Sequence, residues 1–170
     1  MNETELARFA KPSYSKKDSM HDWSHILRIK RRVELYKSSC KKVNAQKLRF
    51  LVYFHGLKEF VKRNEQTVIQ MGFPRAYLSA LYRHTSTPKS IEEKLVSDAN
   101  LWEAVGKFGI RKALTVGRER KQTLKETLGI MEKNVSRAKF FTEKGKQFGN
   151  PGIPISKEFL RRARNKLKFQ

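Results

Sequence analysis

Acidic residues are scarce in this chain. Only 16 Asp and Glu stand against 38 Lys and Arg, a formal charge of +22 over 170 residues. That imbalance says little about fold but implies attraction to polyanions. Cysteine is nearly absent: with Cys40 alone, no intramolecular disulfide can form, which fits a reducing, intracellular setting. No apolar run approaches the roughly 18 residues of a membrane span, and the N-terminus has no apolar signal-peptide core. The expectation is a cytoplasmic protein with no membrane partner. Glycine-rich phosphate loops of the Walker and dinucleotide types are missing. So are helix-turn-helix glycine patterns, zinc-finger spacings and RNA-recognition signatures, which argues against sequence-specific base reading. No segment alternates with period two between turn signals, and no repeat recurs at roughly 20–50 residues. What is plentiful is aromatic: eleven Phe, five Tyr and two Trp indicate a packed body rather than a basic disordered tail.

Helical periodicity dominates the rest. Ile26, Ile29, Val33, Tyr36, Cys40 and Val43 recur at steps of three and four, predicting a helix from about 23 to 43 with Asp22 as its N-cap. Leu48, Leu51, Val52 and His55 share a face of a second helix, which Gly56 is placed to stop. Pro74 opens a third, carrying Tyr77, Leu78, Leu81 and His84. Ser90 and Glu93 match a capping box before a helix bearing Leu95, Asp98, Trp102 and Val105. Gly106 and Gly109 are expected to end it, and a long basic helix is predicted from about 118 to 141. Residues 145–154 read as a Gly- and Pro-rich loop before a last helix capped by Ser156. The prediction is therefore a single-domain, all-α helical bundle. Residues 1–20 form a polar arm, 21–145 the helical domain, and 146–170 a loop and basic C-terminal helix packed on it.

Three of these helices each carry one metal-ligating side chain on an inward face: His25, His55 and Asp98. Two imidazoles and a carboxylate suit a divalent cation with open positions for water and substrate. Two core histidines and an unrelated aspartate would give the same spacing. The segment His21-Asp22-Trp23-Ser24-His25-Ile26-Leu27-Arg28-Ile29 resembles the opening motif of the small microbial HD-domain hydrolases. The stretch Asp98-Ala99-Asn100-Leu101-Trp102-Glu103-Ala104-Val105-Gly106-Lys107-Phe108-Gly109-Ile110-Arg111 is similar to that family's later helix. The resemblance covers roughly residues 20 to 111. It implies an HD-type helical fold around one divalent metal ion (Mn, Mg, Fe or Zn), which polarises a phosphate ester and activates a bound water as nucleophile. The implied ligands are His25, His55, the residue after His55, and Asp98. No side chain is assigned as a catalytic group. His84 is expected at the pocket mouth, with Arg28 and Arg111 among the basic residues that would hold a nucleotide-like phosphoester.

The departure falls at the chemical centre. Glycine, Gly56, stands where the family has its signature aspartate, and Asn100 replaces a second acidic residue. Loss of that carboxylate weakens a site for hard cations, and Glu59 or Asp22 would have to compensate. On this reading Gly56→Asp strengthens metal binding. The competing expectation is a non-catalytic HD-like protein that binds nucleic acid or another anionic ligand through its basic surface. The C-terminal helix, with Arg161, Arg162, Arg164 and Lys168, is its first suspect. The sequence says nothing of the oligomeric state.

Overall fold

A computed structural model describes residues 3–168, the side chain of Lys168 excepted. These residues form eleven α-helices and no strand, in agreement with the all-α expectation. None of the helices among the described residues is long and apolar enough to cross a membrane. The chain divides into two compact units, Met1–Ser97 and Asp98–Gln170, and the boundary falls inside a helix.

The first unit holds α1 (Glu3–Tyr14), α2 (Trp23–Lys37), α3 (Ala45–Phe54), α4 (Lys58–Arg63), α5 (Glu65–Gln70), α6 (Arg75–Arg83) and the start of α7 (Ile91–Trp102). The apolar stripes of α2, α3 and α6 form its core: Ile26, Ile29, Val33, Tyr36, Leu48, Leu51, Val52, Leu78 and Leu81 are all buried. α3 is covered on nearly all sides, since Phe50, Tyr53 and Phe54 are buried too. Phe50 lies 4.9 Å from Phe73 and 5.0 Å from Phe54, ring centre to ring centre. Such spacing lets aromatic rings add to their own burial.

Two features of this unit differ from the sequence reading. The expected polar arm contains α1, which buries Leu6, Ala10 and Tyr14 at four-residue steps. Its start is pinned by Glu3, which pairs with Lys30 and accepts the Tyr53 hydroxyl at 2.6 Å. The second feature is the length of α2, which ends at Lys37 rather than near 43, so Cys40 and Val43 are only half-buried beyond it. The capping box at the start of α7 is present, with both Ser90–Glu93 bonds at 3.4 Å. Arg83 grips the same Glu93 carboxylate through two bonds of 2.9 and 2.7 Å.

The second unit begins within α7 and continues with α8 (Gly106–Glu119), α9 (Leu124–Ser136), α10 (Glu143–Gly149) and α11 (Gly152–Lys168). Leu128, Met131, Val135 and Leu160 form its core, with Ile110, Ala113 and Phe159 packed against them. Here the predicted boundaries shift for local reasons. Gly106 opens α8 instead of closing α7, because its φ of +67° makes the turn that a side chain would resist. The single helix expected from about 118 to 141 is two helices. Lys121 takes φ +55°, and Thr123 with Glu126 forms a capping box that starts α9 afresh. The expected loop at 145–154 is largely helical. Thr142 caps α10, and Pro154 sits in the first turn of α11, where the proline's missing N–H is not needed.

Candidate functional site

The first unit gathers all four histidines of the chain into one row. Ring centres are 5.6 Å apart between His21 and His25, 5.0 Å between His25 and His55, and 6.3 Å between His55 and His84. Local signals set each one in place. Asp22 caps α2 by accepting the Ser24 and His25 N–H groups, which fixes His25 in the first turn, and Asp18 bonds His21 Nδ1 at 2.6 Å. His55 and His84 are the C-cap residues of α3 and α6. Their Nδ1 atoms reach the carbonyls three residues back, Val52 at 2.9 Å and Leu81 at 2.6 Å. A carbonyl can only accept, so both histidines carry their proton on Nδ1. The His55 Nε2 lone pair then faces His25 Nε2 at 3.0 Å, and in the neutral pair His25 donates to it. His84 is fully buried with no hydrogen-bond partner at Nε2. Burial holds its imidazole down to about 4, so it is neutral at pH 7.

Gly56 is backed by Tyr14. A Cβ on Gly56 would meet Cε1 and the hydroxyl of Tyr14 at 3.3 Å each, tighter than ordinary contact. The Tyr14 hydroxyl donates to the Tyr53 carbonyl at 2.9 Å and accepts the Gly56 N–H. Burial pushes this phenol well above its usual range, so it stays neutral. The ring from α1 therefore crowds position 56 on one side, while Gly56 itself is exposed.

Beside this row opens a cleft of about 680 Å³, lined among others by Ser13, Lys16, Lys17, His55, Gly56 and Lys58. Lys58 is fixed by the Tyr82 carbonyl at 3.0 Å and the Thr85 hydroxyl at 3.1 Å, and partial burial lowers its ammonium pKa. Glu59 is the one acidic lining residue against three lysines. The lysine-rich wall contributed by residues 12–17 was missed in the sequence. The Leu6, Ala10 and Tyr14 spacing was the available signal that a helix brings it there.

Asp98 belongs to the second unit. It is fully buried and accepts three hydrogen bonds, from the Phe141 N–H at 2.9 Å and from the Thr142 N–H and hydroxyl at 2.7 Å each. Burial raises its carboxyl pKa, and these three bonds work the other way. Among the described residues no group of three or more His, Cys, Asp or Glu side chains is placed to hold a metal ion. Of the expected ligands, His25 and His55 belong to the first unit and Asp98 to the second, where its carboxylate is taken up by Phe141 and Thr142. A pair of imidazoles 3.0 Å apart would suit adjacent ligands each about 2.1 Å from a cation. Two neutral nitrogens without carboxylates, however, do not fit the hard divalent ions that take oxygen donors. Nor do the candidate substitutes supply one: Asp22 is held by its capping bonds, and Glu59 is exposed on the cleft wall.

His84 is not at a mouth but inside the core. Arg28 bonds the Ser24 hydroxyl at 2.7 Å and the Met20 carbonyl, bracing the opening motif, and is not among the cleft residues. Arg111 belongs to the second unit, exposed on α8 with its guanidinium 5.2 Å from the Phe108 ring centre. Arg161 and Arg162 both pair with Glu158, and Arg164 pairs with Glu132, while the Lys168 side chain lies outside the described residues.

Solved structures share this fold along nearly their whole length. An HD-superfamily hydrolase from Bacillus thuringiensis matches with a TM-score of 0.66 at 18% identity, over 99% of this chain and 97% of that one. The chain shares the fold of that HD-superfamily hydrolase. Two further likenesses are the Lin1889 protein of Listeria innocua and YpgQ of Bacillus subtilis. Lin1889 has a TM-score of 0.65 and 22% identity, over 100% and 99% of the two chains. YpgQ, solved in complex with ADP, has a TM-score of 0.67 and 14% identity, over 97% of each. No family model matches the chain, and no curated protein matches it by sequence.

Proposed function

We propose that this HD-type protein is a non-catalytic binder of a phosphate-bearing anion of the nucleotide class, seated in the cleft of Lys16, Lys17, Lys58 and His55. The observation that carries this reading is the lining of the cleft at Gly56. Position 56 has no carboxylate, a neutral buried phenol crowds it from one side, and His55 stands beside a lysine-lined wall. Lys58 is already oriented by two hydrogen bonds, so it meets a phosphate with little further ordering. Lys16 and Lys17 are exposed and would close on the ligand from the rim. The ADP bound by the B. subtilis neighbour is a ligand of the proposed class. Hydrolysis is the second reading, favoured by the 3.0 Å approach of His25 and His55.

Calorimetric titration of ADP separates the two. Under the binding reading, affinity is the same in EDTA and in Mn²⁺, no phosphate is released, and Lys16→Gln with Lys17→Gln weakens binding about tenfold, or roughly 1.4 kcal/mol. Binding that needs Mn²⁺ and is followed by release of inorganic phosphate would establish the enzyme instead.

A further inference from the structure

The second unit carries a surface that the cleft does not explain. It has 18 Lys and Arg against 7 Asp and Glu. On α8 the buried side is taken by Gly109, Lys112 and Gly117, while Ile110 and Ala113 pack on the core of α9 and α11. The opposite side exposes Lys107, Arg111 and Arg118. At 100° per residue these three positions fall within about 40° of one another, in a line about 16 Å long at 1.5 Å per residue. None of the three forms an ion pair among the described residues, unlike the arginines of α11, which are paired with Glu158 and Glu132.

This basic line has an aromatic margin. Phe108 follows Lys107 on the helix, with the Arg111 guanidinium 5.2 Å from its ring centre. Trp102 lies against Phe108 at 5.6 Å, its ring plane tilted by 36°. The Trp102 indole N–H donates to the Phe148 carbonyl at 3.2 Å, which locks the ring's orientation, and Phe148 itself is 42% exposed. Trp102 and Phe108 are each partly exposed. Cations in a row beside oriented aromatic faces are what single-stranded nucleic acid needs: backbone phosphates track the charge, and splayed bases stack on the rings. A duplex keeps its bases stacked on each other and would use the charge alone.

We infer that the α8 face of the second unit, Lys107, Arg111 and Arg118 with Trp102 and Phe108, binds single-stranded nucleic acid without sequence preference. The site shares no residue with the proposed nucleotide cleft, and its success or failure leaves that reading untouched.

The test uses the full chain with Trp23→Phe, so that Trp102 is the sole tryptophan, and labelled oligonucleotides of about twelve nucleotides, within the roughly 4–16 that one such groove covers. Single strands should bind at low salt and quench Trp102 emission, whereas a duplex of the same length should bind more weakly and leave the emission unchanged. Lys107→Gln, Arg111→Gln and Arg118→Gln together should flatten the slope of log affinity against log salt by about 2, given roughly 0.7 per phosphate contact on single strands. Phe108→Leu, which keeps an apolar side chain, should weaken single-strand binding about tenfold and leave the salt slope unchanged. Circular dichroism melts of each variant identify any that fail to fold; for those, the Trp102 quench in the otherwise unaltered chain stands as the deciding measurement. No binding at low salt overturns the proposal. So does binding that leaves Trp102 emission unmoved, or a salt slope retained by the triple Gln variant, which would move the footprint to α11.

Discussion

In the first unit the histidines meet one another ring to ring, whereas in the second the motif aspartate meets two backbone N–H groups and one hydroxyl. His25, His55 and His84 contact one another through rings, and Gly56 is backed by the ring of a tyrosine whose contact distance is 3.3 Å. Asp98 receives two backbone N–H groups and a hydroxyl, and Gly145 is pressed so close that a Cβ there would lie 2.1 Å from its Oδ2. At Gly56 the neighbour is a ring 3.3 Å away that can yield, while at Gly145 it is a carboxylate held by three hydrogen bonds. An aspartate at 98 thus has a structural reason to be there with no metal involved. Its match to a metal-binding motif is weaker support for catalysis than its place in the motif suggests.

If that contrast is right, the largest losses belong to the second unit. Asp98→Ala strands two buried donors of Thr142, each worth roughly 1–3 kcal/mol when unmet, so a loss of about 4 kcal/mol is expected. Gly145→Ala must push aside the same carboxylate and the Thr142 hydroxyl, with an expected loss of about 3 kcal/mol from overpacking. Urea unfolding followed by Trp102 emission measures both. A loss below about 1 kcal/mol for Asp98→Ala would remove the anchoring role argued for it.

The next effect depends on pH and comes from His84. Its folded imidazole is held at about 4, against 6.5 for the free side chain, mainly by burial. Between these values the unfolded chain binds the proton and the folded chain does not, so stability is complete above about 6.5 and falls as pH drops toward 4. The shift corresponds to about 3 kcal/mol across that window. Urea midpoints at pH 7 and 4.5 should diverge less in His84→Leu than in the unaltered protein. The difference between the two proteins isolates this group from the carboxylates that titrate nearby. Equal divergence would mean that the His84 Nε2 finds a proton or partner in solution.

Much of this was legible in the chain, and the failures have physical causes. Steps of three and four found the buried faces of α2, α3 and α6, because burial on one side of a helix leaves a periodic trace. The pairing of His25 with His55 followed from their inward positions on those faces. The α8 and α9 boundaries were missed because Gly106 and Lys121 turn the chain through positive φ, and neither residue type announces in which direction it acts. The partners of Asp98 were missed for a different reason. A buried carboxylate demands partners, but the partners here are backbone groups 43 and 44 residues away, which no side-chain pattern records. Tyr14 was overlooked because the polar residues around it hid a four-residue period of only three apolar positions.

The smallest effect is at Gly56, and it tests the comparison from the other side. Its φ is not in the left-handed region, so an added Cβ is not strained by the backbone. Replacing glycine there removes freedom from the unfolded chain, a gain of roughly 0.4–1 kcal/mol. Against it stands the 3.3 Å contact with Tyr14, whose hydroxyl is bonded to both Tyr53 and Gly56 and whose ring packs 6.0 Å from Trp23. These terms nearly cancel, so Gly56→Ala should change stability by no more than about 0.5 kcal/mol, far less than Gly145→Ala. Gly56→Asp carries the argument into chemistry. Sequence resemblance alone predicts tighter divalent-metal binding, but Tyr14 crowds position 56 and the lysines of the cleft compete for the new carboxylate. Calorimetry with Mn²⁺ should therefore show no gain for Gly56→Asp alone, and a gain of about tenfold or more, roughly 1.4 kcal/mol, once Tyr14→Ala is added. A single variant that binds Mn²⁺ as tightly as the double variant would show that Tyr14 yields the space freely. The two units would then differ much less in rigidity than their glycine contacts indicate.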